Sequence, residues 1–188
     1  MKSMTKRLLA ALLAVAALFA LVGCSKSDKA DAAPKDYTKI LHDARPDEDN
    51  EYYMIFSPGE DGKFTAQYGY SDSYDAAQLD EEIRNMLLPL LNLEEDMYTD
   101  FAASVSGMMV QSYGIAIVKP AEGKQQAVSE ALDAYVQSQM QSMEHYLEDQ
   151  YQIAASSRIS TAPTGEVILV CCENPEAVMN AIKTALAA

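Results

Sequence analysis

Residues 113–118 read Tyr-Gly-Ile-Ala-Ile-Val, and residues 167–172 read Val-Ile-Leu-Val-Cys-Cys. Both runs are short and apolar, and both contain β-branched side chains, which is typical of buried strands. Lys119-Pro120 ends the first run, and the turn Ala162-Pro163-Thr164-Gly165 precedes the second. We therefore predict that the two runs are buried strands of one sheet.

Apolar residues with helical spacing follow each of these strands. Between residues 123 and 151, steps of three and four residues predict one long helix. Asn174 suits the cap of a final helix, which has Pro175 at its first position. The apolar stripe of the long helix consists of Val128, Leu132, Val136, Met140, Met143, Leu147 and Tyr151, and that of the final helix of Val178, Ala181, Ile182 and Ala185.

The carboxy-terminal half thus has the order strand, strand, long helix, strand, strand, helix. Residues 156–161 are expected to pair with residues 166–172 as a hairpin. This order predicts an α+β fold, in which an antiparallel sheet has helices packed on one face. We expect a single domain over residues 37–188, with a subdivision into 37–92 and 93–188 as an alternative.

The segment before residue 107 gives weaker signals. Aromatic and β-branched runs predict two strands, which turn-forming residues 58–62 join. Helical spacing predicts two helices, and Pro89 should kink or end the second one. The predicted elements are a helix over Tyr37–Ala44, strands over Tyr52–Phe56 and Phe64–Tyr70, a helix over Asp75–Leu91, and a helical turn at Tyr98–Phe101 that leads into a strand.

Cys171 and Cys172 are neighbours on the last predicted strand. Successive side chains on a strand point to opposite faces, so the two thiols cannot form an ordinary disulfide. We expect one to lie in the core as a small apolar group, while the other faces a helix or solvent. A strained vicinal disulfide that acts as a redox switch is the alternative.

The amino terminus has the pattern of a bacterial lipoprotein signal. Lys2, Lys6 and Arg7 precede an uninterrupted apolar run, as in the n-region and h-region of a secretory signal. That run, from Leu8 to Val22, has about fifteen residues, fewer than the roughly 20 that a membrane-spanning helix needs. Leu21-Val22-Gly23-Cys24 follows and resembles a lipobox, whose cysteine receives a diacylglycerol and becomes the new amino terminus.

We therefore expect residues 1–23 to be a cleaved signal peptide, with Leu21, Val22 and Gly23 recognised by the peptidase. Cys24 is the predicted lipidation site, and residues 24–36 are a flexible tether, because they are small, charged and poor in large apolar groups. This places the protein on the extracytoplasmic face of the cell membrane. An ordinary signal peptide or an uncleaved anchor is the alternative.

The composition is strongly acidic. The formal net charge is −14, and removal of residues 1–23, which carry three cations and no acids, changes it to −17. Such a chain offers no surface for nucleic acid or anionic lipid heads. The excess of acidic residues favours solubility. Recognition of a cationic partner or of metal ions is the alternative explanation.

The lipobox, the acidic tether, the Ile- and Val-rich strand that ends at Lys119-Pro120, the long Gln-rich helix, the second hairpin and the terminal helix together resemble a family. They are similar to small lipoproteins of Gram-positive gut anaerobes that carry domain of unknown function 4358 (DUF4358). The resemblance covers roughly Leu87–Leu186. It implies no catalytic residues and no cofactor, because the family has no established activity.

The residues themselves also point to no catalytic or metal centre. There is no Gly-x-Ser-x-Gly motif, and Ser104 and Ser106 have no histidine partner evident in the sequence. His145 would share a helix face with Glu148 and Asp149, which is sterically compatible with a weak divalent-cation site, but we favour a solvated acidic face. A thiolate pair between His145 and one of the two adjacent cysteines is a further alternative.

Clustered aromatic residues supply the candidate binding surface. We predict that Tyr52 or Tyr53, together with Tyr68 or Tyr70, exposes adjacent rings to a glycan or peptide. The leading interpretation is a non-enzymatic, lipid-anchored protein that binds an envelope protein or glycan. The alternatives are a lipoprotein that binds a small molecule or metal for a transporter and, third, a thiol- or carboxylate-dependent enzyme.

The predicted lipidation can be tested with the variant Cys24→Ala. Growth with a palmitate analogue should label the wild-type chain and leave the variant unlabelled, because Cys24 is the only cysteine before residue 171. In-gel detection of the label after click chemistry measures this. Equal labelling of both chains would contradict the prediction.

Overall fold

The computed structural model describes residues 35–188. The predicted signal peptide, the tetrapeptide Leu21–Cys24 and the tether up to residue 34 lie outside the described residues. None of the described helices is both long and apolar enough to cross a bilayer.

The fold is α+β, as predicted, and it contains a six-stranded sheet in which every pair of neighbouring strands is antiparallel. The strand order is β2-β1-β3-β4-β6-β5. The strands are β1 (Ile55–Pro58), β2 (Phe64–Gln67), β3 (Tyr98–Val105), β4 (Gly114–Pro120), β5 (Arg158–Thr161) and β6 (Val167–Cys171). The helices are α1 (Tyr37–Ala44), α2 (Asp47–Tyr52), α3 (Ala76–Glu82), α4 (Leu88–Leu90), α5 (Gln125–Met143), α6 (Glu148–Ala155) and α7 (Pro175–Ala187).

Helices cover both faces of the sheet, and the prediction of helices on one face is wrong. In β4, Ile115 and Ile117 pack with α1 and α7, whereas Ala116 and Val118 pack with α3 and α5. The physical reason is the alternation of a strand: when every residue is apolar, both faces need a cover. A second helical layer therefore buries the face that a half-exposed sheet would leave in water.

Cys171 and Cys172 follow the same alternation. Cys171 belongs to the core beneath α5, and Cys172 belongs to the core beneath α7. Both are free thiols. The prediction that their side chains take opposite faces is confirmed.

The predicted long helix is two helices. α5 ends at Met143, Leu147 has an extended backbone, and α6 begins at Glu148. The 19 residues of α5 already span about 28 Å, which is longer than the strands beneath it. The break lets α6 fold back, so that Ala154 is buried and Ile153 packs on the core.

The region around Tyr52 differs from the prediction. Tyr52 ends helix α2, and the strand begins only at Ile55. Pro46 precedes α2, and Asp47 and Asp49 lie in its first turn, where carboxylates interact favourably with the helix dipole. These local signals outweigh the aromatic run that had predicted a strand.

The returning strand β2 is shorter than predicted. It ends at Gln67 because Tyr68 and Gly69 have positive φ values of 67° and 51°, which a ladder cannot continue. Residues Gly69–Ser73 form a 3-10 turn instead. A side chain at Gly69 would lie 2.6 Å from the backbone of Met54, so the close approach requires glycine.

The helix over residues 76–90 contains a π-helical turn. Asp75 and Gln78 form a capping box at its start. Residues Ile83–Leu87 are π-helical and immediately precede the turn that contains Pro89. Because a proline lacks the N–H and crowds the carbonyl four residues before it, the wider turn accommodates Pro89, and the helix ends at Leu90.

The remaining predictions concern β3, the hairpin and α7. Tyr98 lies in a strand with a register shift before Asp100, and not in a helical turn. The hairpin of β5 and β6 and the start of α7 at Pro175 are confirmed. The buried side chains of α7 are Pro175, Val178, Met179, Ile182 and Leu186, whereas the predicted Ala181 and Ala185 are exposed.

Leu132 of α5 is fully buried. Its replacement by alanine tests how much the packing between α5 and the sheet stabilises the fold. We expect Leu132→Ala to lower the free energy of unfolding by about 2–5 kcal/mol, because burial is lost and a cavity remains. Gln141→Ala, at an exposed position of the same helix, is the matched control. Chemical denaturation of the full chain measures both, and equal stability would contradict the packing described.

Candidate functional site

A buried arginine joins four segments at one end of the sheet. Arg45 follows α1 and is 5% exposed. Its Nε donates to Asn50 Oδ1 (2.6 Å), and its Nη1 donates to Ser104 Oγ (2.7 Å) and to Tyr113 Oη (3.1 Å). Its Nη2 donates to the carbonyl oxygen of Tyr53 (2.6 Å). The charge is thus held by oxygens from α2 and from β3 and the segments next to β1 and β4.

Stacked aromatic rings complete this end of the sheet. The rings of Tyr53 and Tyr113 lie 3.8 Å apart and nearly parallel. Tyr135 Oη, from α5, donates to the carbonyl oxygen of Tyr113 (2.8 Å). A side chain on Gly114 would lie 2.6 Å from that hydroxyl, so glycine is required where Tyr135 crosses the strand.

A cleft of about 850 Å³ opens above this network. It is formed by α2, the 3-10 turn, the π-helical turn, the loop between β3 and β4, α6 and the start of α7. Many of the lining side chains are aromatic, acidic or neutral and polar. The aromatic ones are Tyr52, Tyr53, Tyr70, Tyr74 and Tyr113; the acidic ones are Glu48, Asp49, Glu82 and Glu173; the neutral polar ones are Ser106, Gln111, Ser112, Gln150 and Asn174.

Thioethers and one thiol add softer surface to the cleft. Met86, Met108 and Cys172 line it. Met108 and its neighbours Met109 and Val110 are half to nine-tenths exposed at the tip of the loop between β3 and β4. Met108 therefore adds an exposed apolar side chain to the lining at this loop.

The electrostatic field of the cleft is negative. None of the described residues that line it is Lys, Arg or His. Burial raises the pKa of Asp49, the Arg45 guanidinium partly opposes this, and the neighbouring Glu48 and Glu173 raise the pKa further. The described lining thus carries four carboxylates and no cationic side chain, and the cleft favours cations.

The four predicted tyrosines separate in the structure. Tyr52 and Tyr70 are 63% and 36% exposed and line the same cleft. Tyr53 is buried in the stack against Tyr113 and lines the cleft from below. Tyr68 is half-buried, and its ring lies 4.2 Å from that of His42.

Sequence reasoning missed most of the polar residues of the cleft. Asp49, Glu82, Ser112 and Glu173 come from four different segments, and no spacing in the sequence relates them. One usable signal was the apolar Met108-Met109-Val110 between two strands, because such residues outside a core often border a binding surface.

The candidate nucleophiles do not meet a base within the described residues. Burial raises the pKa of the Cys172 thiol to about 11, so the thiol is neutral. The His145 side chain is 90% exposed, and its nearest charged group is Glu144, at 3.9 Å. Ser104 accepts a hydrogen bond from Arg45. The thiolate pair considered from the sequence is therefore not formed.

Metal ligation finds no support in residues 35–188 either, since no group of three His, Cys, Asp or Glu side chains there is arranged to hold an ion. A second cavity of about 470 Å³ lies beside the cleft. It shares Tyr74, Glu82 and Met86 with the cleft and adds Gln78 and Glu81. The two cavities therefore adjoin at these shared residues.

Comparison with known proteins identifies one family. A family model described as "Domain of unknown function (DUF4358)" matches residues 71–172. The match begins earlier than the resemblance had suggested and ends before α7. It therefore includes α3 and the loop between β3 and β4. No curated protein and no solved structure matches the chain.

The raised pKa of Asp49 predicts the effect of Asp49→Asn. A carboxyl whose pKa is higher in the folded chain than in the unfolded chain favours folding while it is protonated, and this benefit is lost as the pH rises through the folded pKa. We therefore expect Asp49→Asn to stabilise the ligand-free protein at neutral pH. This stabilisation relative to the wild type should become smaller as the pH is lowered toward about 4, near the ordinary pKa of an aspartate side chain.

Urea denaturation of the full chain at both pH values measures this difference. Asp133→Asn, at an exposed position of α5, is the matched control and should change little at either pH. A destabilised Asp49→Asn at neutral pH would show that Arg45 stabilises the carboxylate more than burial disfavours it.

Proposed function

We propose that this chain, which belongs to the DUF4358 family, is a lipid-anchored extracytoplasmic protein of the bacterial cell envelope that binds a small organic ligand in the cleft. The lipid anchor follows from the charged amino terminus, the apolar run and Leu21–Cys24. The binding activity follows from the cleft.

The observation that carries the proposal is the concave, mixed lining of the cleft. A volume of about 850 Å³ lies within the range of roughly 300–1,000 Å³ that ligand pockets occupy. Aromatic and thioether groups offer apolar contact area, while carboxylates, amides and hydroxyls offer directional hydrogen bonds that orient a ligand. A macromolecular partner usually docks on a flatter surface, so the small-molecule alternative now leads the envelope-partner interpretation.

Features that mark functional sites also cluster at this cleft. Tyr68, with its positive φ, immediately precedes the turn that places Tyr70 in the lining. The π-helical turn Ile83–Leu87 places Met86 there. Strained backbone and π-helical turns concentrate where side chains must be aimed at a ligand.

The described part of the chain enters the fold at the end of the sheet opposite the cleft. Lys35 Nζ donates to the carbonyl oxygen of Leu186, and Tyr37 Oη donates to Glu166 Oε1 (3.0 Å). Both contacts lie at the end of the sheet where β6 begins. Arg45, after α1, lies at the opposite end, beneath the cleft.

The neutral thiol of Cys172 and the exposed position of His145, whose charged neighbour is Glu144, disfavour the enzymatic alternative. A transporter that receives the ligand fits the same proposal, because binding lipoproteins present small molecules to membrane proteins. The proposal therefore assigns to this chain capture of a ligand and no chemical change of it.

Ligand capture can be tested with the exposed rings of the cleft. Full-length protein in detergent is mixed with a small-molecule extract of culture medium, filtered, and assayed by mass spectrometry of the retained compounds. We expect Tyr52→Ala/Tyr70→Ala to retain about a tenth or less of what the wild type retains, since aromatic anchors dominate binding energy.

Tyr146→Ala is the matched control, because Tyr146 is 72% exposed and does not belong to the lining. It should retain the compounds as the wild type does. If the double variant retains them equally well, the cleft is not the binding site.

A further inference from the structure

We propose that Met86, Met108 and Met109 form a methionine-oxidation site in and beside the cleft. The oxidant belongs to the class of small oxygen donors such as hydrogen peroxide, and the product is methionine sulfoxide. The oxidation site itself depends only on the exposure of these side chains, whereas its effect on ligand capture rests on the proposed function.

The exposed methionines of residues 35–188 lie in one region. Met86, Met108 and Met109 are 51%, 57% and 88% exposed, and the first two line the cleft. The other methionines of the described chain are buried or half-buried, and none of them lines the cleft: they are Met54, Met97, Met140, Met143 and Met179. An oxidant in solution therefore meets the thioethers of this one region first.

The loop that carries Met108 and Met109 is held by its own hydrogen bonds. The backbone N–H of Ser106 donates to the carbonyl oxygen of Tyr113 (2.9 Å), which joins the two ends of the loop. The N–H of Met108 donates to Ser106 Oγ (3.1 Å), and the N–H of Gln111 donates to the carbonyl oxygen of Met108 (3.3 Å). The exposure of both thioethers is thus a property of the folded loop, and oxidation requires no unfolding.

Gly107 lies close to the π-helical turn that carries Met86. A side chain at Gly107 would lie 3.6 Å from Leu87 Cδ2, and Leu87, which follows Met86 in that turn, is buried. The loop and the turn are therefore neighbours. Met86 and Met108 belong to two adjacent segments that both line the cleft.

The reaction is the transfer of one oxygen atom to sulfur. A lone pair of the thioether sulfur attacks one oxygen of hydrogen peroxide, so that the S–O bond forms and the O–O bond breaks. The proton of the transferred oxygen moves to the departing oxygen, which leaves as water. The sulfur is oxidised by two electrons and the peroxide is reduced by two; methionine sulfoxide reductases reverse the change.

Oxidation would change the lining of the cleft. The sulfoxide of Met86 or Met108 is polar and larger by one oxygen. It reduces the apolar contact area that these thioethers offer together with the exposed ring of Tyr52. A ligand that packs against aromatic and thioether surface therefore binds less tightly to the oxidised protein, and reduction of the sulfoxide restores its binding.

Peptide mapping by mass spectrometry tests the oxidation site. Full-length protein in detergent is treated with dilute hydrogen peroxide, quenched at intervals with free methionine, and digested. We expect Met86, Met108 and Met109 to be oxidised at least about tenfold faster than Met54 and Met143, because oxidation follows exposure. The same treatment in urea should remove the difference.

Two results of the mapping would overturn the proposal. One is an equal rate for exposed and buried methionines in the folded protein. The other is protection of all three exposed methionines relative to their rates in urea, which would show that another molecule or a second copy of the chain covers them.

Retention of small molecules before and after peroxide treatment tests the effect on capture. We expect peroxide to lower retention by the wild type about threefold, the range of a lost sulfur–aromatic contact, and a methionine sulfoxide reductase to restore it. Retention is compared within each protein. The double variant Met86→Leu/Met108→Leu should therefore show no change on peroxide treatment, whatever its starting level.

Met109→Leu is the matched control, because Met109 is exposed and does not belong to the lining. It keeps both lining thioethers and should respond to peroxide as the wild type does. An equal loss of retention in the double variant would contradict the role given to Met86 and Met108.

The outcomes also separate this proposal from the proposed function. If the mapping shows equal rates, the oxidation site fails while ligand capture by the cleft still stands. If retention does not depend on Tyr52 and Tyr70, the proposed function fails together with the effect of oxidation on capture, and the mapping alone decides the oxidation site.

Discussion

The apolar character of both faces of β4 and β6 is the constraint on which the rest of the structure depends. Neither strand has a face that can be left in water, so two helical layers are required, α1 and α7 on one side and α3 and α5 on the other. With both faces covered, only the edges and the strand ends remain for polar chemistry. The cleft lies at one of these ends.

Arg45 determines how that end is organised. A buried guanidinium without hydrogen bonds would be strongly destabilising, and here donors on all three nitrogens are engaged by four oxygens. These bonds fix α1 to the strands and hold the Tyr53–Tyr113 stack in place. The same charge permits carboxylates to gather above it, because a partly desolvated acid such as Asp49 needs a nearby cation. Arg45 therefore accounts both for the hydrogen-bonded base of the cleft and for its acidic lining.

Local pattern predicted the elements that depend on local physics. The strands at residues 114–120 and 167–171, their hairpin partner and the start of α7 followed from apolar runs, turn residues and a proline. The single long helix and the one-sided cover failed because sheet length and the total apolar area decide them. At the cleft, Tyr52 and Tyr70 were predicted from clustering, whereas Asp49 and Ser112 join the lining only through the folded topology.

Both outer strands of the sheet are short. β2 and β5 have four residues each; β2 stops at the positive φ of Tyr68, and β5 begins at Arg158, whose Nε is paired with Glu176 at 2.6 Å. Long, flat, uncharged edges are templates for intermolecular β-pairing and for aggregation. Both edge strands are thus short, and one of them begins at a salt-bridged arginine. Many copies of the protein can therefore be crowded together without pairing through the edges of their sheets.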